Sequence, residues 1–177
     1  MEKKTIYVLF AVIIVIIVVV VAGAYVLMNS GGGGGAENTY TVANATSLQF
    51  NDDVTFGSTV VMHTISAKNV NASNMMLRID ISGGESGNYT YILNQGTQTA
   101  WQCVNGNWTN VSSDFANQWN TYVGEHKLWT TDVGHLINDW SGTGNYTYVG
   151  STTGGTHNIY NVVINPTLAD SLFQHNP

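Results

Sequence analysis

Two kinds of hydrophobic pattern divide the chain. Residues 5–28 (TIYVLFAVIIVIIVVVVAGAYVLM) form an apolar run with no charged side chain. Past residue 38 the apolar positions fall into short alternating segments separated by Gly, Asn and Ser. Alternation with a period of two predicts half-buried strands. One such strand is expected within 40–55, where Val42, Leu48, Phe50 and Val54 are apolar, and a second over 59–68 after the turn Phe56-Gly57-Ser58. In the second, Val61, His63, Ile65 and Ala67 share one face and Val60, Met62, Thr64 and Ser66 the other. Residues 75–82 place Met75, Leu77, Ile79 and Ile81 inward and Met76, Arg78 and Asp80 outward. Strands at 88–93 and 99–104 follow. Asn105-Gly106 predicts a two-residue type I′ turn, because both positions tolerate positive φ. Residues 40–111 therefore read as an antiparallel meander.

The period changes at Ser112. Phe115, Trp119, Tyr122/Val123 and His126 recur at helical spacing, with Ser112 or Ser113 available to cap and Asp114 suited to the first turn. A second helix is expected from Asp132, with Val133, Leu136, Ile137 and Trp140 on its apolar stripe. Strands return at 145–150 and 156–164 around a turn at 151–155. Pro166 stops the last one, and a short helix over 167–173 carries Leu168, Leu172 and Phe173. The predicted class is α+β: an N-terminal transmembrane helix, then a curved antiparallel sheet of about seven to nine strands with two helices packed on one face.

A helix rising ~1.5 Å per residue over 5–28 crosses a hydrocarbon core of roughly 30 Å. The β-branched run at 13–21 suits lipid better than a water-soluble helix. Lys3 and Lys4 precede it and no Lys or Arg follows until Lys68. The positive-inside rule then makes residues 1–4 a cytoplasmic tip, 5–28 a membrane-spanning signal anchor, and 39–177 an extracytoplasmic β-rich domain on the cell membrane. Ala22-Gly23-Ala24 matches a small-x-small cleavage pattern, but the apolar run exceeds the ~7–15 residues of a cleaved h-region, which favours retention. Lys4-Thr5 lacks the Gly or Ala junction of prepilins. Residues 29–38 include five consecutive glycines, a flexible linker spanning on the order of 15–18 Å.

Charge narrows the partners. Past residue 35 the cations are Lys68, Arg78 and Lys127, against Glu37, Asp52, Asp53, Asp80, Glu85, Asp114, Glu125, Asp132, Asp139 and Asp170. Three minus ten is −7, which disfavours nucleic acid and anionic headgroups. Only 9% of the chain is charged, so neutral polar residues carry its solubility. Cys103 is the one cysteine, so no internal disulfide can form.

Few residues are arranged for chemistry. Sequons mark Asn44, Asn71, Asn88, Asn107, Asn110 and Asn145 as glycosylation acceptors, and Pro166 excludes Asn165. Six sequons are modestly more than an Asn-, Ser- and Thr-rich composition supplies by chance. Asp132, His135 and Asp139 can share a helix face, and Asp52-Asp53 can sit at a calcium-binding turn. Neither has the spacing of a recognised metal motif, so a solvated helix face and an ordinary turn are the expectation and no metal site is assigned. Gly84-Glu85-Ser86-Gly87 does not fit a nucleophile elbow, and Cys103 lies mid-strand. No phosphate or dinucleotide fingerprint is present, so no cofactor and no enzymatic activity are expected. The aromatics Trp101, Phe115, Trp119, Trp140, Tyr146 and Tyr148 are read either as core or as the walls of an apolar groove between sheet and helices.

The segments Tyr91-Ile92-Leu93-Asn94, Ala100-Trp101 and Asn105-Gly106-Asn107-Trp108, in the order meander, hairpin, helices, hairpin, resemble the LolA/LppX-like unclosed-barrel lipoprotein carriers. The likeness covers about residues 40–164 and is architectural. It implies a lipid or extended acyl ligand held between sheet and helices. The chain departs from those carriers in having no lipobox cysteine. Its anchor, Gly-rich linker and composition also resemble archaeal membrane-anchored surface proteins. Two readings follow: a tethered domain binding lipid or another hydrophobic ligand, or a structural or adhesive cell-surface protein or filament subunit that contacts other envelope proteins.

Overall fold

The computed structural model describes residues 41–84, 87–124, 128–151 and 154–175. The expected tip at 1–4, membrane segment at 5–28 and linker at 29–38 lie outside the described residues. Among the described residues no helix is long and apolar enough to cross a membrane.

Eight strands make one antiparallel sheet. They are β1 (Ser47–Phe56), β2 (Thr59–Lys68), β3 (Met76–Gly83), β4 (Tyr89–Asn94), β5 (Thr99–Val104), β6 (Asn107–Asn110), β7 (Tyr146–Val149) and β8 (Thr156–Ile164). Their order across the sheet is β6-β5-β4-β3-β2-β1-β8-β7. The first six form the meander. The closing hairpin docks on β1, so the first and last strands pair although about a hundred residues separate them. Two helices, α1 (Phe115–Tyr122) and α2 (Leu128–Asn138), lie in the chain between the meander and that hairpin. The α+β class expected from the pattern is the observed one.

The alternation of each strand sets the two faces. Registers Leu48↔Ala67, Phe50↔Ile65 and Asp52↔His63 continue into β3 through Ala67↔Leu77, Ile65↔Ile79 and His63↔Ile81. These residues share one face, and the helices cover it. Phe50 stacks on Trp129 with ring centroids 6.1 Å apart, and Tyr91 meets Tyr122 at 4.7 Å. Leu48, Phe50, Ile65, Leu77, Ile79 and Leu93 are fully buried there. On the opposite face Gln49 bonds Ser66, Asn51 bonds Thr64, and Arg78 pairs with Asp80. The C-terminal residues run across that polar face. Arg78 Nη1 donates to the Leu172 carbonyl at 3.0 Å, Lys68 pairs with Asp170, and His175 stacks on Trp101 at 3.5 Å.

Several boundaries differ from the pattern-based expectation. Val42 is not in the first strand but in a short 3-10 turn, Val42–Asn44, packed on the core. The helix expected through His126 ends at Tyr122. Its forerunner, Ser112–Asp114, is a 3-10 turn, because the Ser112 hydroxyl bonds the backbone of Ala100 instead of capping. α2 starts one turn before Asp132, and this rotates its buried stripe. Trp129, Asp132 and Leu136 are inside, while Ile137 is 47% exposed. The turn at Asn105-Gly106 has φ of 50° and 88°, the left-handed values a type I′ turn requires.

Candidate functional site

Three of the described acidic and histidine side chains converge in one place beneath α2. Asp52 reaches it from β1, Asp132 from α2 and His157 from β8. Each arrives by its local periodicity. Asp52 occupies the inward register of a strand whose other inward residues are Leu48, Phe50 and Val54. His157 lies opposite Val54, and Asp132 falls between Trp129 and Leu136 on the inner stripe of its helix. One ligand atom from each of the three lies within 4.8 Å of the others.

The contacts are specific. His157 Nδ1 is 2.7 Å from Asp52 Oδ2 and 3.7 Å from Asp132 Oδ1. Tyr148 Oη donates to Asp132 Oδ1 at 2.5 Å. His63 Nδ1 stands 3.2 Å from the Asp52 carbonyl. The imidazole of His157 stacks on the Tyr148 ring at 4.4 Å, and Tyr148 stacks on His135 at 4.0 Å. Two carboxylate oxygens, Asp52 Oδ1 and Asp132 Oδ2, are buried without a hydrogen-bond partner.

A buried carboxylate is costly unless paired, because a low-dielectric surrounding penalises the charged form. Burial, and then the neighbouring Asp52 charge, push the Asp132 carboxyl up to about 9, which the Tyr148 hydrogen bond partly opposes. Burial lowers His63 below its ordinary value, against the pull of Asp52. Tyr148 is raised by burial and by Asp132. Among the described residues the cationic side chains are Lys68 and Arg78, and these are engaged by Asp170 and Asp80 on the other face. No lysine or arginine described here compensates the buried pair.

Asp132, His135 and Asp139, which can share a helix face by spacing, separate. His135 Nδ1 bonds Asp139 Oδ2 at 2.9 Å near the surface, and Tyr146 Oη joins them. Asp132 turns inward and is fully buried, so the solvated-face reading of it is corrected. Asp52 and Asp53 lie mid-strand on opposite faces and not at a turn. Asp53 accepts from Tyr160 Oη at 3.2 Å.

The aromatic set occupies four places. Trp101 is on the polar face of the sheet beneath His175, since its neighbour Ala100 takes the inward position opposite Leu93. Phe115 and Trp119 stack on α1 at 5.6 Å. They border a cleft of about 410 Å³ that also touches Gln98, Ser112, Ser113, Ala116 and Asn120. Trp140 follows α2 and donates Nε1–H to the Gly144 carbonyl. Tyr146 and Tyr148 belong to the His135 stack. The helix–sheet interface between these places is occupied by Phe50, Trp129, Leu136 and Ile159.

All six sequon asparagines, Asn44, Asn71, Asn88, Asn107, Asn110 and Asn145, are exposed. Asn44 and Asn110 use Oδ1 to accept backbone hydrogen bonds, which leaves Nδ2, the atom that would carry a glycan, outside those bonds.

No protein-family model, curated protein or solved structure matches this chain.

Proposed function

We propose that the chain is a membrane-anchored extracytoplasmic binding domain without catalytic activity of its own. Residues 5–28 serve as the anchor, Lys3 and Lys4 hold residues 1–4 in the cytoplasm, and the glycine linker lets the head move above the surface. The exposed sequons suit an extracytoplasmic address, and we read them as glycosylated where the host has the machinery.

The observation that supports binding is the cleft at Phe115 and Trp119. Two stacked rings form one apolar wall, and Gln98, Ser112, Ser113 and Asn120 bring amide and hydroxyl groups to the rest. A few polar groups converging beside an aromatic wall are the ordinary makeup of a small-ligand site. Such a wall suits a lipid or another ligand with an apolar part and a hydrogen-bonding part. The test is mass spectrometry of small molecules that co-purify with the full chain in mild detergent. A defined ligand that is lost in Trp119→Ala supports the reading. An empty protein, or equal retention in the variant, sinks it.

A second reading, an adhesive or structural surface protein, draws on a different observation. Phe56, Val60 and Met62 are each more than 40% exposed toward the tip of the β1–β2 hairpin. An apolar tip of this kind suits contact with another envelope protein. Self-association of the full chain that is weakened by Met62→Asp supports this reading. A concentration-independent monomer that is unaffected by the substitution counts against it.

A further inference from the structure

We propose that Asp52, Asp132 and His157 bind a single divalent transition-metal ion of the zinc class, which ties α2 to β1 and β8. This inference is independent of the cleft and of where the chain resides.

Four observations carry it. First, the three donors come from elements far apart in sequence, and one ligand atom of each lies within 4.8 Å of the others. Second, Asp52 Oδ1 and Asp132 Oδ2 are fully buried and unpartnered, in side chains with no measurable exposure. A buried acceptor without a donor destabilises the fold, and more so when charged. Third, among the described residues no Lys or Arg reaches the pair, so its charge has to be met by His157, a proton or an ion. A dication offsets both carboxylates together and takes the imidazole as a neutral ligand. A single proton leaves one negative charge, which a protonated His157, 2.7 Å from Asp52, would then have to meet. Fourth, the surroundings resemble an outer shell that orients metal ligands. Tyr148 Oη donates to Asp132, and the ring of Tyr148 packs on His157.

The donor set selects the ion. One imidazole nitrogen and two carboxylates match zinc, which takes His and Asp donors, and three protein ligands leave its fourth position to a small exogenous ligand such as water. Calcium needs six to eight oxygens, and magnesium keeps several waters, so both are poorly served by a buried site with one nitrogen and two carboxylates. Both carboxylates have no exposure and the His157 side chain only 11%, so a bound ion would tie α2 to β1 and β8 from the interior. A metal tie does here what a disulfide would do, in a chain whose sole cysteine, Cys103, has no partner.

The experiment uses the full chain purified in detergent without chelators. Elemental analysis is expected to find about one zinc per chain, or one after stripping and reloading with Zn²⁺. Cobalt(II), loaded in its place, is expected to give visible bands of a low-coordinate site. His157→Gln and Asp132→Asn each abolish stoichiometric loading, while His135→Gln, at the neighbouring exposed pair, keeps it. Tyr148→Phe, acting through Asp132, weakens zinc affinity by about 10-fold. The proposal is overturned if the wild-type chain takes up neither ion, or if zinc remains at full stoichiometry in His157→Gln. Should the variants fail to fold, the cobalt spectrum of the wild-type chain decides alone: an octahedral aqua-like spectrum overturns the site.

Discussion

The hydroxyl of Tyr148 and the carboxylate of Asp132 meet at 2.5 Å, with Asp132 fully buried and Tyr148 nearly so. Tyr148→Phe deletes the donor and keeps the ring that stacks on His135 and His157. The Asp132 oxygen then loses its only direct donor bond among the described contacts. The expected cost is about 1–3 kcal/mol, the usual penalty for stranding a buried polar atom. Urea unfolding of the wild-type and variant chains measures it. A change under a few tenths of a kcal/mol would mean that the oxygen is already satisfied by something other than Tyr148.

Asp132 also makes the metal-free fold sensitive to pH. Its carboxyl is raised from 3.8 to about 9 by burial and by Asp52. A group that holds its proton more tightly when folded favours the folded state at low pH. Its contribution is complete below the unfolded value and is lost as pH rises through the folded one. Chelated wild-type protein is therefore expected to lose stability between pH 3.8 and about 9 relative to Asp132→Asn, in which no proton can leave. Unfolding midpoints on either side of neutrality check the difference. Parallel pH profiles for the two proteins would refute it.

The apolar interior gives a sharper contrast. Trp129 stacks on Phe50 beneath α2, and Ile137, on the same helix, is 47% exposed. Trp129→Ala removes a large buried ring and is expected to destabilise by about 3–5 kcal/mol. Ile137→Ala is expected to stay within about 0.5 kcal/mol. Thermal unfolding of both separates the two positions.

That contrast also shows how far the pattern along the chain could be read. Strand alternation located the long strands of the sheet, because one buried face forces a period of two, and the Asn105-Gly106 turn implied β6. It set β2, β5 and β8 to the residue, and Asn105-Gly106 named its own turn. Hydrophobicity alone places Val133, Leu136, Ile137 and Trp140 on the inner stripe of α2, of which Leu136 is buried and Ile137 is not. The observed stripe instead includes Asp132, a carboxylate that burial alone would exclude. The same holds for Asp52. It sits at an inward position between Phe50 and Val54, and that register is a visible signal. Its neighbour Asp53 made the pair look like a polar turn. A carboxylate at a core position of a strand and another at a core position of a helix were the clues to the site. Their meeting with His157 depends on the β1–β8 pairing, which no local pattern encodes.

The last prediction concerns the polar face. Arg78 holds Asp80 with two hydrogen bonds, Nε to Oδ2 at 2.7 Å and Nη2 to Oδ1 at 2.8 Å. Its remaining nitrogen, Nη1, donates to the Leu172 carbonyl, and Thr90 Oγ1 also donates to Asp80. The guanidinium therefore links β3 and β4 to the C-terminal segment, whose Phe173 is buried and whose His175 lies on Trp101. A fork of five donors suits this role, and a lysine cannot reproduce it. Arg78→Lys is expected to keep the charge opposite Asp80 but release the tail, so that amides from Asp170 to Phe173 exchange at least about tenfold faster, equivalent to ~1.4 kcal/mol of lost protection. Hydrogen exchange read by mass spectrometry resolves this segment from β3. Unchanged exchange there would assign the tail's attachment to Phe173, the Trp101–His175 stack and the Lys68 contacts with Asp170 and the Leu168 carbonyl.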